Sequence, residues 1–139
     1  MISPALRRQV AERDAFSCAY CRSQEAVIGS SLTVDHVIPE VLGGSSELSN
    51  LCLACWSCNL SKGQRVAATD PETGDMVALF HPTKQIWNDH FTWQAEGSLL
   101  QGLSACGRAT VNALKLNRLL LVQARKRWVQ VGWHPPAEE

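Results

Sequence analysis

Cys-x-x-Cys pairs at two separate places constrain what this chain can fold into more than any other feature of its sequence. Cys18 and Cys21 form the first pair, and Cys52, Cys55 and Cys58 form two overlapping pairs further on. Two such pairs supply four thiolates, the ligand set that suits tetrahedral zinc in a structural site. The N-terminal residues lack the apolar stretch of a secretion signal, which argues against a disulfide framework. The spacing therefore predicts a structural zinc site, with buried cysteines that bind no metal as the alternative.

Length and composition are those of a small folded unit without a membrane anchor. The chain has 139 residues, of which 45% are hydrophobic and 19% are charged, so an apolar core is possible and wholesale disorder is not expected. No apolar run approaches the length of a membrane span. We therefore expect a cytoplasmic protein, built as one domain or as a small catalytic module with an appendage.

Basic residues are unevenly distributed, although the formal net charge is zero. Between Gly97 and His134 there is no Asp or Glu. The same segment holds six basic residues: Arg108, Lys115, Arg118, Arg125, Lys126 and Arg127. Such asymmetry can present a positive face to phosphate groups, and a merely solvated helix face is the alternative.

Local signals predict a helix first and then the order strand, loop, strand, helix. A helix is expected over residues 3–14, because Ser followed by Pro is typical of a helix start. Residues 32–38 are rich in β-branched side chains and predict a strand that Pro39 ends. Residues 50–54 are a candidate partner strand, and residues 55–66 are compatible with a short helix.

A turn cluster at residues 70–75 predicts the border between a first domain, residues 1–69, and a C-terminal extension, residues 70–139. The extension is expected to contain short strands and two helices, at residues 76–80, 91–95, 98–101, 105–115 and 117–131.

The last helix carries two further expectations. Asn117 is expected to cap its N-terminus. Its apolar side chains Leu119, Val122, Val129 and Trp133 fall near one face, so we expect them to lie in the core.

Four polar residues stand between or beside the cysteine pairs. Thirty-three residues separate Cys21 from Cys55, more than a simple zinc ribbon usually holds. Asp35, His36 and Asn50 lie in this interval, and Asn59 directly follows the last cysteine pair. A structural metal beneath a strand–strand–helix unit would hold such side chains rigidly. Taken alone, each has an ordinary interpretation, as a turn cap, a surface histidine or a loop residue.

Taken together, these motifs resemble the zinc-knuckle branch of the His-Asn-His (HNH) endonuclease family over residues 18–63. The motifs that carry the resemblance are Cys18-x-x-Cys21, Asp35-His36-Val37-Ile38-Pro39, Gly43-Gly44, Asn50-Leu51 and Cys55-x-x-Cys58-Asn59-x-x-Lys62-Gly63. The resemblance implies an α+β fold with a ββα-metal (His-Me finger) nuclease core, a four-cysteine zinc site and a C-terminal extension. Parts of residues 107–125 also resemble an extension found on small bacterial members.

The resemblance implies a role for each motif residue. His36 matches the general base that activates water, and Asp35 matches the metal ligand before it. Asn50 matches the residue that braces the loop carrying the base, and Asn59 matches a second metal ligand. The zinc ligands are then Cys18, Cys21, Cys55 and Cys58, which leaves Cys52 as a small hydrophobic residue on a strand.

Asn59 departs from the pattern, since many family members have histidine at this place. An amide oxygen is a hard neutral donor, so we expect Mg²⁺ or Mn²⁺ as the catalytic ion. Trp56 lies between two zinc ligands and is expected to shield the cysteine pair.

The implied function is metal-dependent hydrolysis of DNA phosphodiester bonds. A monomer is expected to nick one strand, whereas double-strand cleavage would indicate a homodimer. The alternative is a zinc-dependent nucleic-acid-binding module that does not cut, and a third possibility is a protein-interaction domain. Basic residues expected to contact nucleic acid are Lys62, Arg108, Arg118, Arg125 and Arg127.

Overall fold

The computed structural model describes residues 2–137. The first element is helix α1, Pro4–Arg13, which begins as the sequence predicts. The Ser3 Oγ atom accepts a hydrogen bond of 3.1 Å from the Leu6 amide, and Pro4 occupies the first turn, where no amide donor is needed. The loop that carries the first cysteine pair follows, and then a one-turn helix α2, Glu25–Ile28.

An antiparallel hairpin and a helix make up the centre of the molecule. Strands β1, Thr33–His36, and β2, Leu51–Ala54, pair in a register that sets Asp35 opposite Cys52 and His36 opposite Leu51. Helix α3, Trp56–Lys62, follows at once. It ends four residues earlier than expected because Gly63 takes a positive φ of 57°, a conformation that favours glycine.

A second hairpin joins the two parts that the sequence analysis separated. Strands β3, Ala67–Thr69, and β4, Met76–Ala78, pair antiparallel across the turn at residues 70–75. Strand β3 was not expected from the sequence, because three residues with Ala at two positions carry little strand signal. The predicted border at residues 70–75 therefore lies in the turn that joins these two paired strands.

The remaining elements form a mixed helical and stranded second half. A short helix α4, Trp87–His90, leads into strand β5, Phe91–Gln94, which pairs with strand β6, Leu99–Gly102. Two helices then close the chain, α5, Ala105–Ala113, capped by Ser104, and α6, Leu119–Gln130.

Two expectations about α6 are wrong. Asn117 is not its N-cap: its Nδ2 donates to the Leu100 carbonyl and its Oδ1 accepts from the Leu100 amide, both at 2.8 Å, and Arg118 occupies the cap position. The expected apolar face is not buried either, since Leu119 is 70% exposed and Trp133 is 55% exposed. The buried residues of α6 include Arg125, so the inward face of this helix is partly charged.

One hydrophobic core runs from α1 through the β1–β2 hairpin to the aromatic residues of the second half. The Trp87 ring packs against Phe91 at 5.2 Å between centroids, and the indole Nε1 donates to the Tyr20 carbonyl at 3.1 Å. This contact ties the second half to the loop of the first cysteine pair. Within residues 2–137, no helix is both long enough and apolar enough to cross a membrane.

Candidate metal centres and active-site cleft

Four cysteine side chains converge in the interior. The Sγ atoms of Cys18, Cys21, Cys55 and Cys58 all lie within 4.8 Å of one another. Cys21 and Cys55 are 3.7 Å apart, close to the roughly 3.8 Å between sulfurs that a tetrahedron with zinc–sulfur bonds of about 2.3 Å requires. The donor set and its size therefore fit a zinc ion, and Cys52 is not part of the cluster.

Backbone contacts hold the cysteine pairs in place. The Ala19 amide donates to the Leu53 carbonyl at 2.8 Å, which joins the first pair to β2. Cys55 is the N-cap of α3, and its Sγ accepts from the Cys58 amide at 3.5 Å. A hydrogen bond from the Cys18 thiol lowers the pKa of Cys55 to about 7, which favours the thiolate that a metal needs.

A separate open cleft of about 510 Å³ lies between β1 and α3. Asp35, His36 and Asn59 all line it, so the structure brings these three predicted site residues together. The cleft wall also includes exposed apolar side chains, namely Val41, Trp56 and Leu60.

Asp35 lies at the inner end of the cleft and is only 6% exposed. Its Oδ2 atom accepts from the Tyr20 hydroxyl at 3.0 Å and lies 3.1 Å from the Lys62 Nζ. Burial raises the pKa of the Asp35 carboxyl, while the Lys62 ammonium and the Tyr20 hydroxyl oppose that rise. Both contacts fall on one oxygen, so the carboxylate is held from one side.

His36, the next residue of β1, is half-buried, with 20% of its side chain exposed. Its Nε2 atom lies 2.9 Å from the Ser46 Oγ and 3.6 Å from the Glu40 Oε1. Both contacts come from the loop after β1. The Lys62 Nζ also donates to the His36 carbonyl at 3.1 Å, so this lysine contacts both cleft residues of the strand.

The Asn50 side chain stabilises the loop between β1 and β2 through hydrogen bonds to the loop backbone. Its Oδ1 accepts from the Ile38 amide at 2.9 Å, and its Nδ2 donates to the carbonyls of Ile38 at 3.0 Å and Ser45 at 2.8 Å. Gly44 packs against the same point, where an added Cβ would lie 1.7 Å from the Ile38 carbonyl oxygen. The loop that bears Ser46 is therefore fixed to the end of β1.

The Asn59 side chain is held in place by Thr33 of strand β1. Its Nδ2 donates to the Thr33 Oγ1 at 3.1 Å, and the Thr33 hydroxyl donates in turn to the Ala54 carbonyl at 2.8 Å. With its amide nitrogen used in this way, the Asn59 side chain has its carbonyl oxygen left for a ligand.

The basic residues expected to bind nucleic acid lie in different surroundings. Lys62 is 1% exposed and Arg125 is 0% exposed, so the expectation that they contact a phosphate is wrong: neither side chain reaches the surface. Arg108 forms a 2.8 Å ion pair with Asp70. Arg118 is half-buried beside the cysteine cluster, and Arg127 is exposed.

Three residues that contact the predicted site residues were not expected from the sequence, and Trp56 lies elsewhere than expected. Tyr20, Thr33 and Ser46 contact the predicted site residues, yet none stands at a recognisable spacing from them. Gly44, which packs against Ile38 and Asn50, belongs to the Gly43-Gly44 motif of the sequence. Trp56 does not shield the cysteine pair, since it is 71% exposed and lines the cleft instead.

Comparison with known proteins agrees with this arrangement. Residues 18–65 match the protein family described as HNH endonuclease, which confirms the resemblance inferred from the sequence. The matched segment contains the four clustered cysteines together with Asp35, His36, Asn50 and Asn59. Neither the curated proteins nor the solved structures contain a match to the chain. The family match indicates a nuclease or another nucleic-acid-related function.

Proposed function

We propose that this protein is a metal-dependent endonuclease that hydrolyses DNA phosphodiester bonds, one strand at a time. The observation that carries the proposal is that Asp35, His36 and Asn59 line one open cleft beside a closed four-cysteine cluster. In this proposal β1, β2 and α3 form a ββα-metal core, zinc holds it together, and residues 70–139 form an extension packed on residues 1–69.

His36 is the proposed general base. Its Nε2 atom faces a serine hydroxyl and the Glu40 carboxylate, so a proton on Nε2 would be hydrogen-bonded there. The neutral imidazole then carries its lone pair on Nδ1, which can accept a proton from an attacking water. Asn50 supports this arrangement because it fixes the loop that carries Ser46.

Asp35 and Asn59 are the proposed holders of the catalytic ion. The Oδ1 atom of Asp35 and the amide oxygen of Asn59 are hard donors, which favour Mg²⁺ or Mn²⁺. Such an ion supplies stabilisation of negative charge on the phosphate and the leaving oxygen. Lys62 holds the other carboxylate oxygen of Asp35 and so positions this ligand. If Zn²⁺ alone supports the same activity as Mg²⁺ or Mn²⁺, the assignment of these ligands is wrong.

Substrate contacts are proposed at the cleft and at exposed basic residues of the second half. Trp56 and Leu60 are exposed on α3, and an exposed indole beside a phosphate-cleaving site can stack on a nucleobase. Lys115 and Arg127 are exposed basic residues of the second half and can contact phosphates. Because Arg125 and Lys62 are buried, this basic surface is smaller than the sequence implies.

The test is nicking of supercoiled plasmid with Mg²⁺, using wild type, His36→Ala and His81→Gln. His81 is a matched control, since it is a half-buried histidine outside the cleft. We expect wild type and His81→Gln to nick equally and His36→Ala to lose at least about a hundredfold, the usual contribution of a general base. Equal nicking by all three proteins would remove His36 from the mechanism.

A non-catalytic nucleic-acid-binding module is the second candidate, and one observation favours it. The Lys62 ammonium already neutralises Asp35, so the carboxylate has a partner without a divalent ion. In that case wild type would bind duplex DNA with a steep salt dependence and would not nick it with Mg²⁺ or Mn²⁺. Nicking that depends on His36 rules this candidate out.

A further inference from the structure

Arg118, from the second half of the chain, contacts the four-cysteine cluster. Zinc bound by four thiolates carries a net charge of −2, and all four cysteines are buried. A buried charge of this size is unfavourable unless opposite charges or hydrogen-bond donors compensate it. A cation beside the sulfurs would supply part of this compensation.

Arg118 supplies the first positive charge. Its Nη2 atom lies 3.6 Å from the Cys55 Sγ, and its Nη1 atom lies 3.8 Å from the Cys58 Sγ. One planar guanidinium thus spans both sulfurs of the second cysteine pair.

Arg125 is a second buried cation, seven residues further along the chain. It is fully buried, and its Nε and Nη2 atoms have no hydrogen-bond partner among the described residues. Its Nη1 donates to the Ser98 carbonyl at 3.3 Å and to the Asn117 Oδ1 at 3.2 Å, and its guanidinium lies 5.1 Å from the centre of the Trp93 ring. Burial lowers its pKa only to about 10, so it stays charged at neutral pH.

Carboxylates do not account for either arginine. No ion pair found within residues 2–137 joins Arg118 or Arg125 to Asp or Glu. The cysteine sulfurs 3.6 and 3.8 Å away are therefore the charged groups that face the Arg118 guanidinium.

We propose that Arg118 is a counter-charge of the zinc-bound four-cysteine centre, so that zinc holds helix α6 against the first half of the molecule. Its positive charge offsets part of the charge of −2. Arg118 is a positioning residue that donates to two zinc-bound sulfurs. The inference rests on zinc occupancy and is independent of nuclease activity.

The first experiment measures zinc release from the intact full-length chain into an excess of a chromogenic chelator. We compare wild type, Arg118→Gln, Arg118→Lys and the control Lys126→Gln, an exposed basic residue on the same helix. Loss of an outer contact to a metal ligand typically weakens binding about 10- to 100-fold. We therefore expect release to be at least about tenfold faster in Arg118→Gln, intermediate in Arg118→Lys and unchanged in Lys126→Gln.

A spectroscopic measurement separates sulfur contact from a merely structural role. With Co²⁺ in place of zinc, the thiolate-to-metal charge-transfer band reports electron density on sulfur. Loss of the two donors in Arg118→Gln should shift this band to longer wavelength, and Arg118→Lys should restore part of the shift. Equal release rates and identical bands for Arg118→Gln and Lys126→Gln would overturn the proposal.

A third measurement uses wild type only, in case the variants fold poorly. Hydrogen exchange of residues 119–130 is followed with zinc bound and after its removal. We expect protection of this helix to fall together with that of residues 18–21. Retained protection of the helix in zinc-free protein would overturn the proposed coupling. Failure to nick plasmid, with the expected zinc behaviour, would contradict the nuclease proposal alone.

Discussion

The four-cysteine cluster and the Asp35–His36–Asn59 cleft both adjoin the β1–β2 hairpin and helix α3, and they differ in almost every physical respect. The cluster is closed, built from one ligand type and buried on all sides. The cleft is open, built from oxygen and nitrogen donors and lined on one wall by exposed apolar side chains. Structural metal sites fill every ligand position, whereas catalytic sites keep one open. In this molecule, the residues that can hold the fold rigid are therefore different from the residues that leave a site open to a ligand.

The hairpin also links the two regions mechanically. Strand β2 ends directly before Cys55, and its Leu53 carbonyl accepts from the Ala19 amide of the first cysteine pair. Strand β1 carries Asp35 and His36 on the other side of the same pairing. Any disturbance of the cluster should therefore reach the cleft.

The largest expected effect comes from the loss of a cysteine of the four-cysteine cluster. Cys21→Ser should lose zinc and cost about 5 kcal/mol or more of the free energy of unfolding, because zinc binding contributes directly to folding in such sites. Magnesium removal should leave the melting temperature unchanged. The measurement is thermal melting by circular dichroism with metal analysis, and Cys106→Ser, a cysteine outside the cluster, is the control. Identical melting of the two serine variants would contradict a structural role for the cluster.

A smaller effect is expected from two asparagines that make the same contact in the two halves. Asn50 pairs with the amide and carbonyl of Ile38, and Asn117 pairs with those of Leu100. Substitution of either by alanine leaves backbone groups without partners and should cost about 2 kcal/mol. Under conditions where both variants stay folded, only Asn50→Ala should lose plasmid nicking, by roughly tenfold or more. Equal loss of activity in both would show that the effect is general destabilisation.

The pH dependence of stability should come partly from His134, which is buried in the second half of the molecule. Burial lowers the pKa of His134 to about 4, and Arg125 adds to this shift, whereas an unfolded histidine titrates near about 6.5. As the pH falls from about 6.5 towards 4, the unfolded chain binds the proton first, so the free energy of unfolding falls. The loss should be roughly 1 kcal/mol at about pH 5.5.

Urea denaturation at about pH 7.5 and about pH 5.5 measures this contribution. His134→Gln should show a smaller drop in stability between the two pH values than wild type does. Zinc thiolates titrate in both proteins, so their contribution cancels in the difference. Parallel drops would mean that His134 does not carry the effect.

The smallest effect on the fold is expected at the cleft wall. Trp56 is 71% exposed, so Trp56→Ala should change the melting temperature by no more than about 2 °C, as for other surface substitutions. Affinity for DNA should fall about fivefold or more, because base stacking contributes about 1–3 kcal/mol. Fluorescence anisotropy with labelled DNA is the measurement, and Trp133→Ala is the matched exposed tryptophan. Equal affinity of the two variants would remove Trp56 from the substrate surface.

Much of the first half could be predicted because its signals are local. The cap at Ser3, the β-branched run before Pro39 and the regular cysteine spacing each depend on neighbours in the sequence. Local signals failed where a distant partner decides the outcome. Asn117 looks like a helix cap, yet the backbone of Leu100 provides two better-placed hydrogen bonds.

The sequence by itself determined the ligand types, their spacing and the order of strands and helix around them. Only the tertiary structure decided which charged residues face solvent. Lys62 is buried beside Asp35, and Arg125 is buried beside the Trp93 ring and the Asn117 side chain. A charged side chain is stable inside a protein only beside compensating charge or donors, and those come from residues far away along the chain. Its burial is therefore a property of the folded molecule.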